Sequence, residues 1–177
     1  MGAWIEWAFI AAYSSDDREG TYNLDHGKRW INTNAFFARL HALNGNGFLA
    51  TYCTWTMRDA FLSTPTTHYA AMDCHVSSAS QWILCSGQNI LQHILHPPPQ
   101  DEKDHMLPKP QPWTLDVWRR WKAGFAAAGE EENLKQETRR LAKKSAALME
   151  TLEAVLVPEG EADGVEVPGT GLETNDS

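Results

Sequence analysis

Along this chain, apolar residues recur three and four positions apart in blocks, and short runs rich in Gly, Asn and Pro separate the blocks. No run alternates apolar and polar residues long enough to make a strand. The spacing predicts a helix over about 28–43, then a tight turn at "NGNG" (Asn44 to Gly47), whose residues tolerate positive φ. A second helix follows over about 48–63, and Pro65 ends it. A short helix over about 67–74 precedes a longer one over 75–95. The segment "HPPPQDEKDHMLPKPQP", residues 96–112, holds six of the nine prolines and reads as an extended connector, since proline removes a donor and fixes φ. Thr114 then reads as an N-cap, with Trp113 and Trp118 placed to staple the first turn of a helix over 115–128. Gly129 reads as its break, and a last helix over about 130–157 carries Leu134, Leu141, Leu148, Leu152 and Val155 on one stripe.

The fold class this predicts is all-α: one compact bundle of five to six helices. It spans residues 1–157 with the Pro-rich segment inside it, followed by a disordered acidic tail over 158–177.

Two helices carry polar groups inside apolar faces. Residues 28–43 are apolar almost all round, which belongs in the middle of a bundle, yet Asn34 shares a face with Trp30, Phe37 and His41. On the next helix Asp59 shares a face with Phe48, Tyr52, Trp55 and Leu62. A four-residue turn makes the two helices antiparallel neighbours and brings residue 34 level with about residue 57. The expectation is that Asn34 donates to the Asp59 carboxylate, which also accepts from the Trp30 indole. In one reading this contact is a clasp that sets the register of two helices. In the other, Asp59 is an acid or base at the bottom of a pocket shaped by Trp30, Asn34, Trp55 and Trp82. On the helix over 75–95, Val76, Ile83, Gly87, Ile90 and Ile94 make the core face, and Gly87 there signals close approach by another helix. The opposite side, with Trp82, Ser86, Asn89 and His93, reads as solvated rather than as a pocket mouth.

Charge narrows the function classes. The formal net charge is -8, but six acids and no base lie between Pro158 and Ser177, so the body is close to neutral and has no basic footprint for nucleic acid. The three cysteines, Cys53, Cys74 and Cys85, form no paired spacing and are expected to be reduced thiols in an intracellular, cytoplasmic protein. Cys53 sits among apolar neighbours, which makes it inert. "MGAWIEWAFIAAY" lacks a basic start and is too short to span a bilayer, so it reads as a packed segment, with no membrane partner implied. Neither His93 with His96 nor the run Asp73, Cys74, His75 has the spacing of a metal motif, and no phosphate loop or nucleophile elbow occurs. No metal and no cofactor are expected.

Three groups of residues carry a family resemblance. "RWINTNAFFARLHA" followed by "TYCTWTMRDAF" resembles the paired motif of a large fungal all-helical family, the domain of unknown function numbered three-six-three-two. "ASQWILCSGQNI" is similar to the family's A-x-Q-W-I-x-x-x-G segment, and "WTLDVWRRWKAGF" with "RRLAKKSAALME" is similar to its C-terminal helix pair. The resemblance covers about residues 30–153, and the segment before Lys28 matches poorly. It implies a fungal, all-helical, intracellular protein, and it assigns no catalytic residue. Some relatives are encoded near secondary-metabolite biosynthetic genes. The function expected is a non-enzymatic helical binding or interaction module for a protein or a small apolar molecule. The alternative is a cofactor-independent enzyme or binding protein for an apolar metabolite.

Overall fold

The computed structural model describes residues 24–44, 47–62, 69–97 and 113–157. The N-terminal segment expected to pack, the centre of the NGNG turn, most of the Pro-rich connector and the acidic tail lie outside the described residues. Five helices make up the rest: α1 Leu24–Asn44, α2 Gly47–Phe61, α3 Tyr69–Leu95, α4 Leu115–Glu130 and α5 Gln136–Leu156. Among the described residues there is no strand, and the fold is a helical bundle. None of these helices is long and apolar enough to cross a membrane.

The centre of the bundle is α3, which touches all four other helices. Its 27 residues replace the short helix and longer helix expected from the sequence. Asp73, Cys74 and Ser77 suggest a boundary because such side chains compete with the backbone. Here neighbouring segments occupy two of them directly: Asp73 Oδ1 accepts from Lys135 N, just before α5, at 2.9 Å, and Ser77 Oγ meets Thr138 Oγ1 at 3.3 Å. The Cys74 thiol donates to Gly27 O at 3.5 Å. With those groups engaged outside the helix, α3 runs on uninterrupted.

Contacts stepping along α3 fix the directions of its neighbours. Gly27, Asn34 and Ala42 of α1 meet Cys74, Trp82 and Asn89 in rising order, so α1 and α3 are parallel. Lys135 and Thr138 meet Asp73 and Ser77 in the same sense, so α5 is parallel to α3 as well. Along α4, Arg119 and Lys122 reach Glu153 and Glu150, which makes α4 and α5 antiparallel. Successive helices therefore run up and down, and the three upward ones, α1, α3 and α5, are joined by buried polar contacts. Trp82, Trp118, Trp121, Phe125, Ile83, Ile90, Met57 and Met149 are fully buried between them. Each such side chain removed from water stabilises the fold by about 1.5–3 kcal/mol.

Two boundaries differ from expectation. The start of α4 is as predicted, with extended Thr114 accepting from Val117 N at 3.2 Å. Its end is not at Gly129, which lies buried inside the last turn. A Cβ there would come within 2.7 Å of Lys143 Cγ, so this glycine allows the α5 side chain to lie close rather than ending the helix. The last helix begins at Gln136 and not near Glu130, because Glu131–Lys135 form a link in which Leu134 is buried and Asp73 holds Lys135 N. Gly87 does mark a close approach, with Leu152 of α5 lying 3.3 Å from a built Cβ.

Gly124 gives a direct test of α2 against α4. A Cβ there would lie 2.7 Å from Cγ and Cδ1 of Phe61, a ring that also packs edge-on against Phe125 at 4.6 Å. Gly124→Ala is expected to lower stability by about 1–3 kcal/mol in thermal or urea denaturation, despite the better helix propensity of alanine. An unchanged or raised stability would mean that α2 does not lie on α4 in this way.

Candidate functional site

Several of the polar groups inside the bundle lie along the α1–α3 seam. Asn34 is 1% exposed, and its amide is bonded on three sides. Its Oδ1 accepts from the Trp82 indole Nε1–H at 2.8 Å and from the Thr56 hydroxyl at 2.8 Å, a proton that Thr56 shares with Tyr52 O. Its Nδ2 donates back to Trp30 O at 3.0 Å. Trp82, read from the sequence as lying on a solvated side, is fully buried, and Ser86 of the same side is 2% exposed. That side faces α1, because the central helix has partners all round.

The expected bond between Asn34 and Asp59 does not form. Residue 34 does come level with α2 near residue 57, but it meets Thr56, one turn before the carboxylate. Asp59 Oδ1 instead accepts from Nε and NH2 of its neighbour Arg58, each at 3.1 Å. The physical reason is competition: the amide Nδ2, the donor expected to reach Asp59, is taken one turn back by Trp30 O at 3.0 Å, while Trp82 and Thr56 supply the donors that the amide oxygen accepts from. The candidate residues therefore separate. Asn34, Trp82 and the Trp30 carbonyl come together, while Trp55 stacks edge-on with Tyr52 at 5.6 Å and Asp59 stays with Arg58.

A second polar group lies where α1 and α3 end and α4 begins. His41, 1% exposed, approaches Ser86 Oγ through Nδ1 at 2.6 Å, and Asn89 Nδ2 donates to Ala42 O at 3.0 Å. The His41 ring packs edge-on to Trp82 at 6.0 Å and to Trp113 at 6.2 Å. Trp113 also receives His93 at 5.3 Å and Trp121 at 6.2 Å, both edge-on. Its own Nε1–H donates to Thr54 Oγ1 of α2 at 2.9 Å, which fixes the plane of the indole. Trp113 thus packs on Trp121, one turn beyond the Trp118 expected from the staple pattern. Burial, and secondarily the nearby His93, lower the His41 pKa, so the ring is neutral at pH 7. Burial also pushes the Cys53 thiol far up, leaving it unreactive, and all three cysteines are free.

No group of three or more His, Cys, Asp or Glu side chains suited to a metal is assembled among the described residues. With this geometry in place, the comparison with known sequences adds one fact. The profile of a family described as "Protein of unknown function (DUF3632)" matches residues 2–125, most of the chain. The chain belongs to the DUF3632 family. No curated protein and no solved structure matches it. The match corrects the expected range at both ends. In this DUF3632 chain it takes in the segment before Lys28, and it stops within α4, leaving α5 outside.

Sequence reasoning missed Thr56, Thr54 and the cluster at Trp113. The signal was partly there: Asn34 and His41 share one stripe of α1, and Trp82, Ser86 and Asn89 share one stripe of α3. Laying the two stripes side by side in parallel pairs them all.

Two expectations follow. Asn34→Leu leaves the buried Trp82 Nε1–H without its acceptor and is expected to cost about 2–3 kcal/mol of stability, whereas Asp59→Asn costs less than about 1 kcal/mol. Equal losses in the two variants would contradict the placement of the amide. For pH, the folded His41 pKa lies below its ordinary 6.5. Above that value the ring is neutral in both states. Below it the unfolded chain takes up a proton that the folded ring refuses, so stability falls with pH and levels off past the folded pKa. His93, lowered by burial, acts in the same window. Denaturation midpoints measured between about pH 7 and 5 should therefore fall for wild type and fall less for His41→Phe, and equal slopes would contradict this.

Proposed function

We propose that this chain is a non-enzymatic helical binding module, a rigid aromatic-rich bundle that engages a protein or a small apolar molecule in the cytoplasm. The observation that carries this reading is the sealed amide of Asn34, bonded to Trp82, Thr56 and the Trp30 carbonyl at 1% exposure. A polar group engaged in this way sets the register of helices and offers nothing to a substrate. The candidate acid or base supports the same reading, since Asp59 Oδ1 accepts from both Nε and NH2 of Arg58 on the adjacent position.

The second reading, a cofactor-independent enzyme or binding protein for an apolar metabolite, draws on the ring cluster around Trp113 and on the fungal family motifs. The two readings differ in what they ask of Asp59. A thermal-shift screen of wild type and Asp59→Asn against fractionated fungal extracts separates them, because any ligand of the folded state raises its apparent stability. The module reading expects every compound that raises the midpoint of wild type by at least about 2 °C to do the same for Asp59→Asn. Compounds whose effect disappears in Asp59→Asn, with the fold of the variant intact, would overturn it in favour of the enzyme.

A further inference from the structure

The cluster at Trp113 contains two buried ring nitrogens, His41 Nε2 and Trp121 Nε1, with no hydrogen-bond partner among the described residues. Ser86, 2% exposed, has one hydroxyl proton to place, and the acceptor it meets is His41 Nδ1 at 2.6 Å. When Ser86 donates there, the proton of the neutral imidazole resides on Nε2. That Nε2 is buried and has no hydrogen-bond partner among the described residues. The Trp121 indole, 1% exposed, is in the same condition: its Nε1 can only donate, and it too is buried without a partner. Both rings pack edge-on against the same indole, His41 and Trp121 each lying 6.2 Å from Trp113. A donor left unbonded in a core is costly; Trp118 Nε1 deeper in the bundle also lacks a partner, but these two flank one half-buried ring, where an acceptor can come from outside.

Further features suit the cluster to a ligand. Trp113 and His93 are half-buried, which leaves it open to the surface on that side, while His41 and Trp121 close it on the other. Thr54 holds the Trp113 indole by its N–H, so the ring plane is set before anything binds. The orphan ring nitrogens offer protons rather than lone pairs, which suits an acceptor oxygen.

We infer that the His41–Trp113–Trp121 cluster binds a small flat apolar molecule carrying a carbonyl or carboxylate oxygen, which accepts from His41 Nε2–H and Trp121 Nε1–H while its body lies against Trp113. This rests on the binding-module reading and gives that module a ligand class. Asp59 has no part in it.

The test uses the full chain and follows the indole N–H signals in 1H–15N spectra, assigned by single Trp→Phe substitutions. Benzoate and benzamide are the probes, and toluene is the counterpart without an oxygen. Saturable shifts of the Trp121 and Trp113 signals are expected with either oxygen-bearing probe, with toluene bound at least about tenfold more weakly. Trp121→Phe, which keeps a ring and loses the N–H, should weaken binding at least about tenfold, as should His41→Phe. The inference is overturned by no saturable shift up to about 10 mM probe, by equal binding of toluene, or by unchanged affinity in a folded Trp121→Phe. A long-lived water contacting both N–H groups and undisturbed by the probes overturns it as well. Benzoate binding that is lost in Asp59→Asn would instead sink the module reading, so the two failures are distinct.

Discussion

The bundle depends on one hydrogen bond made in a dry place, from the Trp82 indole to the Asn34 amide oxygen. Two apolar helices can slide or rotate against one another at little cost, because hydrophobic contact has no direction. A buried donor cannot, since leaving it unbonded costs on the order of 1–3 kcal/mol. Seating that indole at 2.8 Å from Asn34 sets the stagger of α1 against α3, and the other contacts along the seam fall into step with it. Cys74 reaches Gly27 below, and Ser86 and Asn89 reach His41 and Ala42 above.

Because α3 touches every other helix, setting α1 on it orders the rest. The carboxylate of Asp73 holds the start of α5, and Gly87 lets Leu152 of that helix lie close. At the far end, α5 is tied to α4 by Arg119 and Lys122, which meet Glu153. Burial pushes the Glu153 carboxyl up, but hydrogen bonds from Lys122 and Arg119 outweigh it and hold its pKa below the ordinary range. This ion pairing is fully present at neutral pH and is lost as pH falls through the lowered folded pKa of Glu153, a window that opens near the ordinary 4.5 of the carboxylate rather than at the 6.5 of histidine. Register in the core and charge at the rim therefore respond to different conditions.

Much of this was legible in the residues, and the limits were physical. Thr114 marks a helix start because its backbone chemistry is local. The burial of Asn34 was legible because an all-round apolar helix has no exposed side to offer it. Its partner was not, since reasoning along the chain pairs a helix with the one that follows it, and the partner here came from the next helix but one. Gly129 misled for a related reason: a glycine that admits Lys143 from α5 looks, in one dimension, like a helix stop. The cluster at Trp113 escaped because it joins the ends of three helices with the second turn of α2. Only the fold brings His41, Thr54, His93, Trp113 and Trp121 to one place.

A chain organised in this way spends its internal polarity on alignment along most of the seam and leaves two ring nitrogens beside Trp113 without partners among the described residues. At Asn34 the donors and acceptors match, and at Trp113 two donors wait. The matched part is the foundation, and a double-mutant cycle on Asn34→Leu and Trp82→Phe measures it most directly. If the indole–amide bond sets the seam, the two residues should couple by at least about 1 kcal/mol in denaturation experiments, with the double variant recovering part of what Asn34→Leu loses. Additive losses, with coupling below about 0.3 kcal/mol, would contradict the account.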